Sequence, residues 1–396
     1  MLLISPFFYP HIGGSQRYME ELYAHLVKLY PHVDVTILAY NTNNAPSIER
    51  YRGMTIYRIP CWHILPGQFT LPNIFSLMSI LMKLSTKHID YIHTHLRFFD
   101  SVWWAWTFAR SIKAKSIVTE HVANHPIHEH DGVSAIAKWI DKTIGAWSLS
   151  KYDLITTTNT PAKTFLSEEL HIKKPIFISY GGVNTTYFSP KKRKQLFSIP
   201  HYNRKLSNKT IIITYVGRII WSKGVTYLIK AIKDLDPILP KHIKFVIAGS
   251  GELDNWLTKT IEKDGLKNRI YQTGPHTMEE VRNLLRVTDI SIYPSHHTEG
   301  FPNTVLESAA AGCFTIATDN AGTTEIITQE KEGLIIPQKS VSSIKQSILW
   351  ALEHTDQKNK MTREARKKMQ KQYDWKTIAT SFHTLVQKEC LFDGGK

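Results

Sequence analysis

A chain of 396 residues, 42% hydrophobic and 21% charged, has the composition of an ordinary globular protein and the length of about two domains, which excludes disordered, collagen-like and disulfide-scaffold classes. Its formal net charge of +15 is uneven, because residues 191–396 hold 32 Lys+Arg against 21 Asp+Glu. Such an excess suits a nucleic acid, an anionic membrane or a phosphorylated ligand, and equally a solvated surface.

The chain opens MLLISPFFYPHIGG, an apolar run too short and too quickly broken to be a signal peptide or a membrane span. Its three cysteines, Cys61, Cys313 and Cys390, match no metal or disulfide spacing, so a cytoplasmic, reducing location is expected. Apolar runs of strand length then alternate with helical stretches, as in parallel α/β proteins. The first half offers LLISPF, DVTILAY, MTIYRIP, YIHTHL, KSIVTEH, DLITTTN and PIFISYG. The second offers TIIITYVG, IKFVIAGSG, IYQTG, DISIYPS, FTIATD and EGLIIP. Between the series, residues 185–209 have no period, two prolines and many cations, among them KKRK at 191–194, which suits an interdomain connection.

Ligands of open parallel sheets bind beyond the carboxyl ends of the strands, so the residues just after each run carry the most information. After the first strand, Gly13 and Gly14 open a helical stretch and permit close approach of a phosphate or a hydroxyl; a structural turn would use them too. After KSIVTEH come His121, His125, His128 and His130, whose spacing fits no zinc pattern, and His121 stands where it can hydrogen-bond a reacting sugar or acceptor. In VGRIIWSKG, Arg218 and Lys223 can converge on one anion, guanidinium gripping bidentately and ammonium as a point charge. Asp234 and Asp236 mimic a metal-binding DxD, but at a helix end, where a structural role is expected.

The stretch HHTEGFPNTVLESAAAGC predicts a helix over Asn303–Ala311 with Val305, Leu306, Ala309 and Ala310 as its apolar stripe and Gly312 as its stop. Glu307 then shares a face with Asn303, while Glu299 precedes the helix beside the free amides of its first turn. Amides that favour an anion, next to carboxylates able to accept hydroxyl protons, fit a ligand with both a diphosphate and a sugar.

Taken in order, GG at 13–14, YIHTHL, His121, GGVNTTYFSP, VGRIIWSKG, IAGSGEL, YQTGPHTMEEV, the E-x7-E element EGFPNTVLE, AGTTEII and the terminal YDWKTIATSFHTLV make the chain resemble the family 4 glycosyltransferases, over nearly its whole length. The resemblance implies the GT-B fold: α/β, with two Rossmann-like parallel-sheet domains facing across a cleft and a C-terminal helix crossing back to the first. On that template residues 1–188 form the acceptor domain, 189–209 the connection, 210–373 the nucleotide-sugar domain and 374–396 the returning helix. The family implies a retaining transfer from a nucleotide-diphosphate sugar, without metal or other cofactor, to a glycan or a polyprenyl or other lipid-linked acceptor. Carried over residue by residue, Arg218 and Lys223 hold the diphosphate, Glu299 the sugar hydroxyls and Glu307 the ribose. The amides of Gly300, Phe301 and Thr304 assist, the turn at Pro275 and His276 lies against the base, and Gly13, Gly14 and His121 face the donor.

One departure is Gly181-Gly182-Val183-Asn184, where the family reads Asn-Gly-Val-Asp. For the acceptor, residues 71–84 and 101–110 are apolar enough to meet an anionic membrane peripherally or to lie buried against the sheet. A nucleotide-sugar epimerase would share the donor pocket. A nucleic-acid binder would need the cations without the glutamates and is not expected, and no G-x-G-x-x-G supports a dinucleotide oxidoreductase.

Overall fold

The computed structural model describes residues 1–391 except 12, 66–68, 126–130, 192–195, 202–205, 297–299 and 321. It forms two units, Met1–Gly181 together with the segment from Trp375 onward, and Gly182–Asp374.

The first unit is built on β1 (Leu2–Ser5), β2 (Thr36–Tyr40), β3 (Ile48–Tyr51) and β4 (Met54–Ile59). A side hairpin of β5 (Cys61–Leu65) and β6 (Phe69–Pro72) follows, then β7 (Tyr91–His95), β8 (Lys115–Glu120), β9 (Leu154–Thr157) and β10 (Ile176–Ile178). The main sheet runs β10-β9-β8-β7-β1-β2-β4-β3, parallel except for β3 on its edge. Continuous apolar runs become its strands because helices cover both faces and leave no polar side. The helix Gly14–Leu29 covers one face, and the helix Trp375–Leu391 packs on it, with Trp375, Ile378, Phe382 and Val386 in one cluster with Tyr18, Met19, Leu22 and Leu26. The helices Ile74–Ser85 and Ser101–Ser111 cover the other.

The second unit begins with a small ladder of β11 (Leu196–Phe197) and β12 (Leu206–Ser207). Its sheet contains β13 (Ile211–Val216), β14 (Ile243–Ala248), β15 (Ile270–Gly274), β16 (Ile290–Tyr293), β17 (Phe314–Thr318) and β18 (Leu334–Ile336). All six are parallel, in the order β15-β14-β13-β16-β17-β18. The chain therefore starts at the centre, winds outward one way, returns and winds the other, which leaves a crevice between the carboxyl ends of β13 and β16. In the first sheet the same reversal falls between β1 and β7.

Every run expected to be a strand contains one. The strands not expected are short, and β3 is exposed on alternate positions; it folds back through Arg52 and Gly53, both at positive φ, a two-residue hairpin turn. Residues 182–188, assigned with the first domain from sequence, belong with the second unit. There the Val183 amide donates to the Tyr373 carbonyl at 2.7 Å and the Thr185 hydroxyl to Asp374 at 2.5 Å. Among the described residues, no helix is long and apolar enough to cross a membrane.

Candidate functional site

At the β13–β16 reversal a cavity of about 220 Å³ is lined by Gly217, Arg218, Lys223, Ser295, Asn303, Thr304 and Thr323 among others. Arg218, in the loop after β13, is exposed, and Lys223 closes the 3-10 turn Trp221–Lys223. That turn is pinned to the end of β16: Ser295 Oγ and the His296 amide donate to the Ser222 carbonyl at 3.3 and 3.0 Å. Gly224, which ends it, has φ +72°, and a Cβ there would stand 1.9 Å from the Pro294 carbonyl oxygen. Only glycine lets the cationic turn sit this close to the strand end.

The helix Asn303–Ala311 forms as expected and stops at Gly312, in the left-handed region at φ +83°. Among the described residues no side chain caps its first turn, which holds no acid, and the Asn303 and Thr304 amides make no hydrogen bond. A cavity lined by two cations and an uncapped helix start has the electrostatics of an anion site. Residues Val305–Ala311 are buried on all sides, Glu307 included at 3% exposure. Its carboxyl group lies near Tyr293, whose phenol is pushed well up first by burial, with Glu307 adding to the shift. Glu307 is thus a buried acid one turn from Asn303, and a solvated role is excluded. The backbone of Gly300 and Phe301 is packed under Gly322, where a Cβ would meet the Gly300 carbonyl oxygen at 2.1 Å. The Phe301 ring leans on Tyr373 at 5.6 Å. Glu299 lies outside the described residues.

The His276 imidazole turns inward, Nε2 bonding the Thr273 hydroxyl at 2.8 Å and the ring 4.5 Å from that of His201, so of the pair Pro275 and His276 only Pro275 is exposed. Burial first, then His201, lowers the pKa of His276. His201, His276 and Glu280 form the one group with metal-ligating atoms close together among the described residues. Glu280 already accepts from His201 at 2.8 Å and from the Thr277 amide and hydroxyl at 2.8 and 2.9 Å as the helix cap. Asp234 and Asp236 are structural: Asp234 pairs with Lys345 at 3.0 Å and Asp236 with Arg269 at 2.5 Å.

In the first unit Gly13 is extended, at φ −173° and ψ 170°, and Gly14 starts its helix with open space where a Cβ would be. His121 is half-buried just past β8. The turn that carries it is held by residues that the sequence reading missed. Glu120 accepts the amides of His121 and Val122 at 2.8 and 3.1 Å, and pairs with Arg97 at 2.8 Å. Arg97 also grips Asp141 at 2.7 Å, with at most 1% of each side chain exposed in these pairs. Burial opposes the Arg97 charge, but Glu120 and Asp141 outweigh it and raise its pKa. Arg97 lies just after β7, so the rule that located Arg218 would have located it. His125 bonds Asp141 at 2.7 Å and serves that cluster, while His128 and His130 lie outside the described residues.

Two Rossmann-like units, with cations and a helix start gathered at the strand ends of the second, have the organisation of the GT-B fold. Residues 12–187 match the model of Glycosyltransferase Family 4 and residues 201–368 that of Glycosyl transferases group 1. Together they span most of the chain, which belongs to the family 4 glycosyltransferases. It is 27% identical over 393 residues to an uncharacterized glycosyltransferase of Methanocaldococcus jannaschii, covering 98% of each chain. It is 26% identical to a phosphatidylinositol N-acetylglucosaminyltransferase chain of Arabidopsis thaliana, covering 96% of this chain and 79% of that one. Among solved structures, Anabaena HepE in complex with UDP superposes with a TM-score of 0.74 at 13% identity, covering 98% and 99% of the two chains. HepE has also been solved with UDP-glucose.

Proposed function

We propose that this protein transfers a sugar from a nucleotide-diphosphate donor to a lipid-linked or glycan acceptor, with retention of anomeric configuration and without a metal. The observation that carries the reading is the cavity at the β13–β16 reversal, where Arg218, Lys223, Asn303 and Thr304 line one small volume at a helix start. A departing diphosphate is stabilised by such donors, which take the place a divalent cation would otherwise fill. Glu307 binds the ribose and Glu299 the sugar hydroxyls. The acceptor attacks from the face the diphosphate leaves, and the phosphate oxygen takes the acceptor proton. The complexes of HepE make uridine diphosphate sugars the first donors to test.

A lipid-linked acceptor is supported by the name of the Arabidopsis relative and by two apolar surfaces of the first unit. The helix Ile74–Ser85 leaves Phe75, Met78 and Met82 exposed, whereas the stretch 101–110 is largely packed against the sheet. A larger surface, unforeseen from sequence, is the helical stretch 131–150. It exposes Ile136, Trp139, Ile140, Ile144 and Trp147 among Lys138, Lys142 and Lys151, a composition suited to an anionic bilayer.

The test is a thermal-shift panel of UDP-, GDP- and ADP-sugars, with calorimetric titration of the best ligand. Removing one charged hydrogen-bond partner costs about 1.5–3 kcal/mol, so Arg218→Ala is expected to weaken binding by roughly 10- to 150-fold with the fold intact. Unchanged affinity would refute the site. Product NMR showing inversion would refute retention, activity abolished by EDTA would refute metal independence, and acceptor-free conversion of the donor would point to an epimerase.

A further inference from the structure

Behind His121 lies a buried line of hydrogen bonds that crosses the first sheet. His93 and His95, two apart on β7, present their rings to one face. His95 Nδ1 stands 2.9 Å from His121 Nε2, and the Tyr23 hydroxyl bridges His95 Nε2 at 3.1 Å and His93 Nδ1 at 2.8 Å. His93 Nε2 meets the Thr119 hydroxyl at 2.7 Å, which meets that of Thr156 at 2.6 Å. Thr156 ends the line on the Val118 carbonyl at 3.3 Å. Phe382 stacks on His93 at 5.4 Å, and every member except His121 is buried. Nothing in the transfer as described above uses this line.

Burial holds all three histidines neutral at pH 7. It lowers His93 to about 3, with His121 adding, lowers His95 well below its ordinary value, and lowers His121 to about 4 against the opposing charge of Glu120. A neutral imidazole has one N–H and one lone pair, and each hydroxyl has one proton. The line therefore has two self-consistent senses, in which all three rings carry the proton on Nε2 or all three carry it on Nδ1. A carbonyl can only accept. If Thr156 donates to Val118, then Thr119 donates to Thr156, His93 Nε2–H to Thr119, Tyr23 to His93, His95 Nε2–H to Tyr23 and His121 Nε2–H to His95. The opposite sense leaves that contact with the Val118 carbonyl unmade.

We propose that Tyr23, His93, His95, Thr119 and Thr156 are positioning residues, a one-way hydrogen-bond chain that holds His121 as the Nε2–H tautomer and presents its Nδ1 lone pair to a hydroxyl of the sugar ligand. The inference rests on the proposed sugar transfer and, for the ligand, only on the expectation from sequence that His121 stands where it can hydrogen-bond a reacting sugar. Among the described residues its Nδ1 has no other partner.

Long-range proton–nitrogen NMR on the full chain labelled with 15N-histidine reads each tautomer directly, with assignment by single histidine substitutions. Nε2–H is expected at His93, His95 and His121, and Nδ1–H or exchange averaging at any of them overturns the chain. Thr156→Val keeps the shape but leaves Thr119 without its acceptor, so all three rings should reverse to Nδ1–H and kcat/KM for transfer should fall roughly tenfold. Unreversed tautomers overturn the proposal. Reversed tautomers with unchanged transfer support the chain and refute instead the placement of His121 against the sugar. If Thr156→Val does not fold, Tyr23→Phe cuts the chain in the middle. His95 and His121 should then average between tautomers, and a single retained form overturns the coupling.

Discussion

Arg97→Met tests whether the His121 turn rests on buried charge. The guanidinium lies between Glu120 and Asp141 with none of its side chain exposed. Methionine fills the stem of the cavity and leaves two carboxylates facing each other without a cation. Breaking a buried pair in this way costs about 3–5 kcal/mol, because the surviving charge stays desolvated. For a unit of this size about 1 kcal/mol moves the midpoint by 2–4 °C, so scanning calorimetry of the full chain should show a fall of roughly 6–20 °C. Adding Glu120→Gln and Asp141→Asn removes the uncompensated charge, and the triple variant should recover at least half of the loss. A fall below about 2 °C in the single variant, or a triple variant no better than the single, would refute the account of a buried ionic clamp.

Gly224→Ala places a non-glycine residue at φ +72° and a Cβ 1.9 Å from the Pro294 carbonyl oxygen, so the Trp221–Lys223 turn must move. The left-handed backbone alone costs about 1–2 kcal/mol, and titration should show donor affinity at least tenfold weaker. Unchanged affinity would show that the turn does not position Lys223. The hydrogen bond to Glu280 raises the pKa of His201, so this contact contributes stability that is full below the ordinary histidine pKa and is lost as pH rises through the raised value. The difference in melting temperature between wild type and His201→Gln should therefore shrink from pH 5.5 to pH 8.5, and a constant difference would refute the pairing. Liposomes containing anionic lipid should sediment the protein at low salt and release it at high salt. The double substitution Ile136→Ser with Trp139→Ser should abolish binding, and no sedimentation of the wild type would remove the membrane surface.

The strands, their parallel pairing and the helix Asn303–Ala311 were legible because each rests on a local pattern: an apolar run buried on both faces, or a stripe closed by glycine at a left-handed position. Arg218 and Lys223 could be picked out by their place just after a strand, Asn303 by the helix face it shares with Glu307 and Thr304 by the family resemblance, and the structure gathers them round one cavity. His276 was placed by the family resemblance, and which way its imidazole turns was not legible in the sequence: Nε2 bonds the Thr273 hydroxyl and the ring lies 4.5 Å from that of His201.

Local patterning of the chain by itself determined two parallel α/β units and the strand ends where ligand-binding groups gather, since period and turn chemistry act over a few residues. What only the tertiary structure decided are the partners: Tyr23 against His93 across 70 positions and Arg97 against Asp141 across 44. Those pairings depend on sheet order and on which face each helix covers, and no local period encodes either. Burial of Glu307 follows from the same cause, for a helix with one apolar stripe becomes buried all round only when neighbours close over its other side.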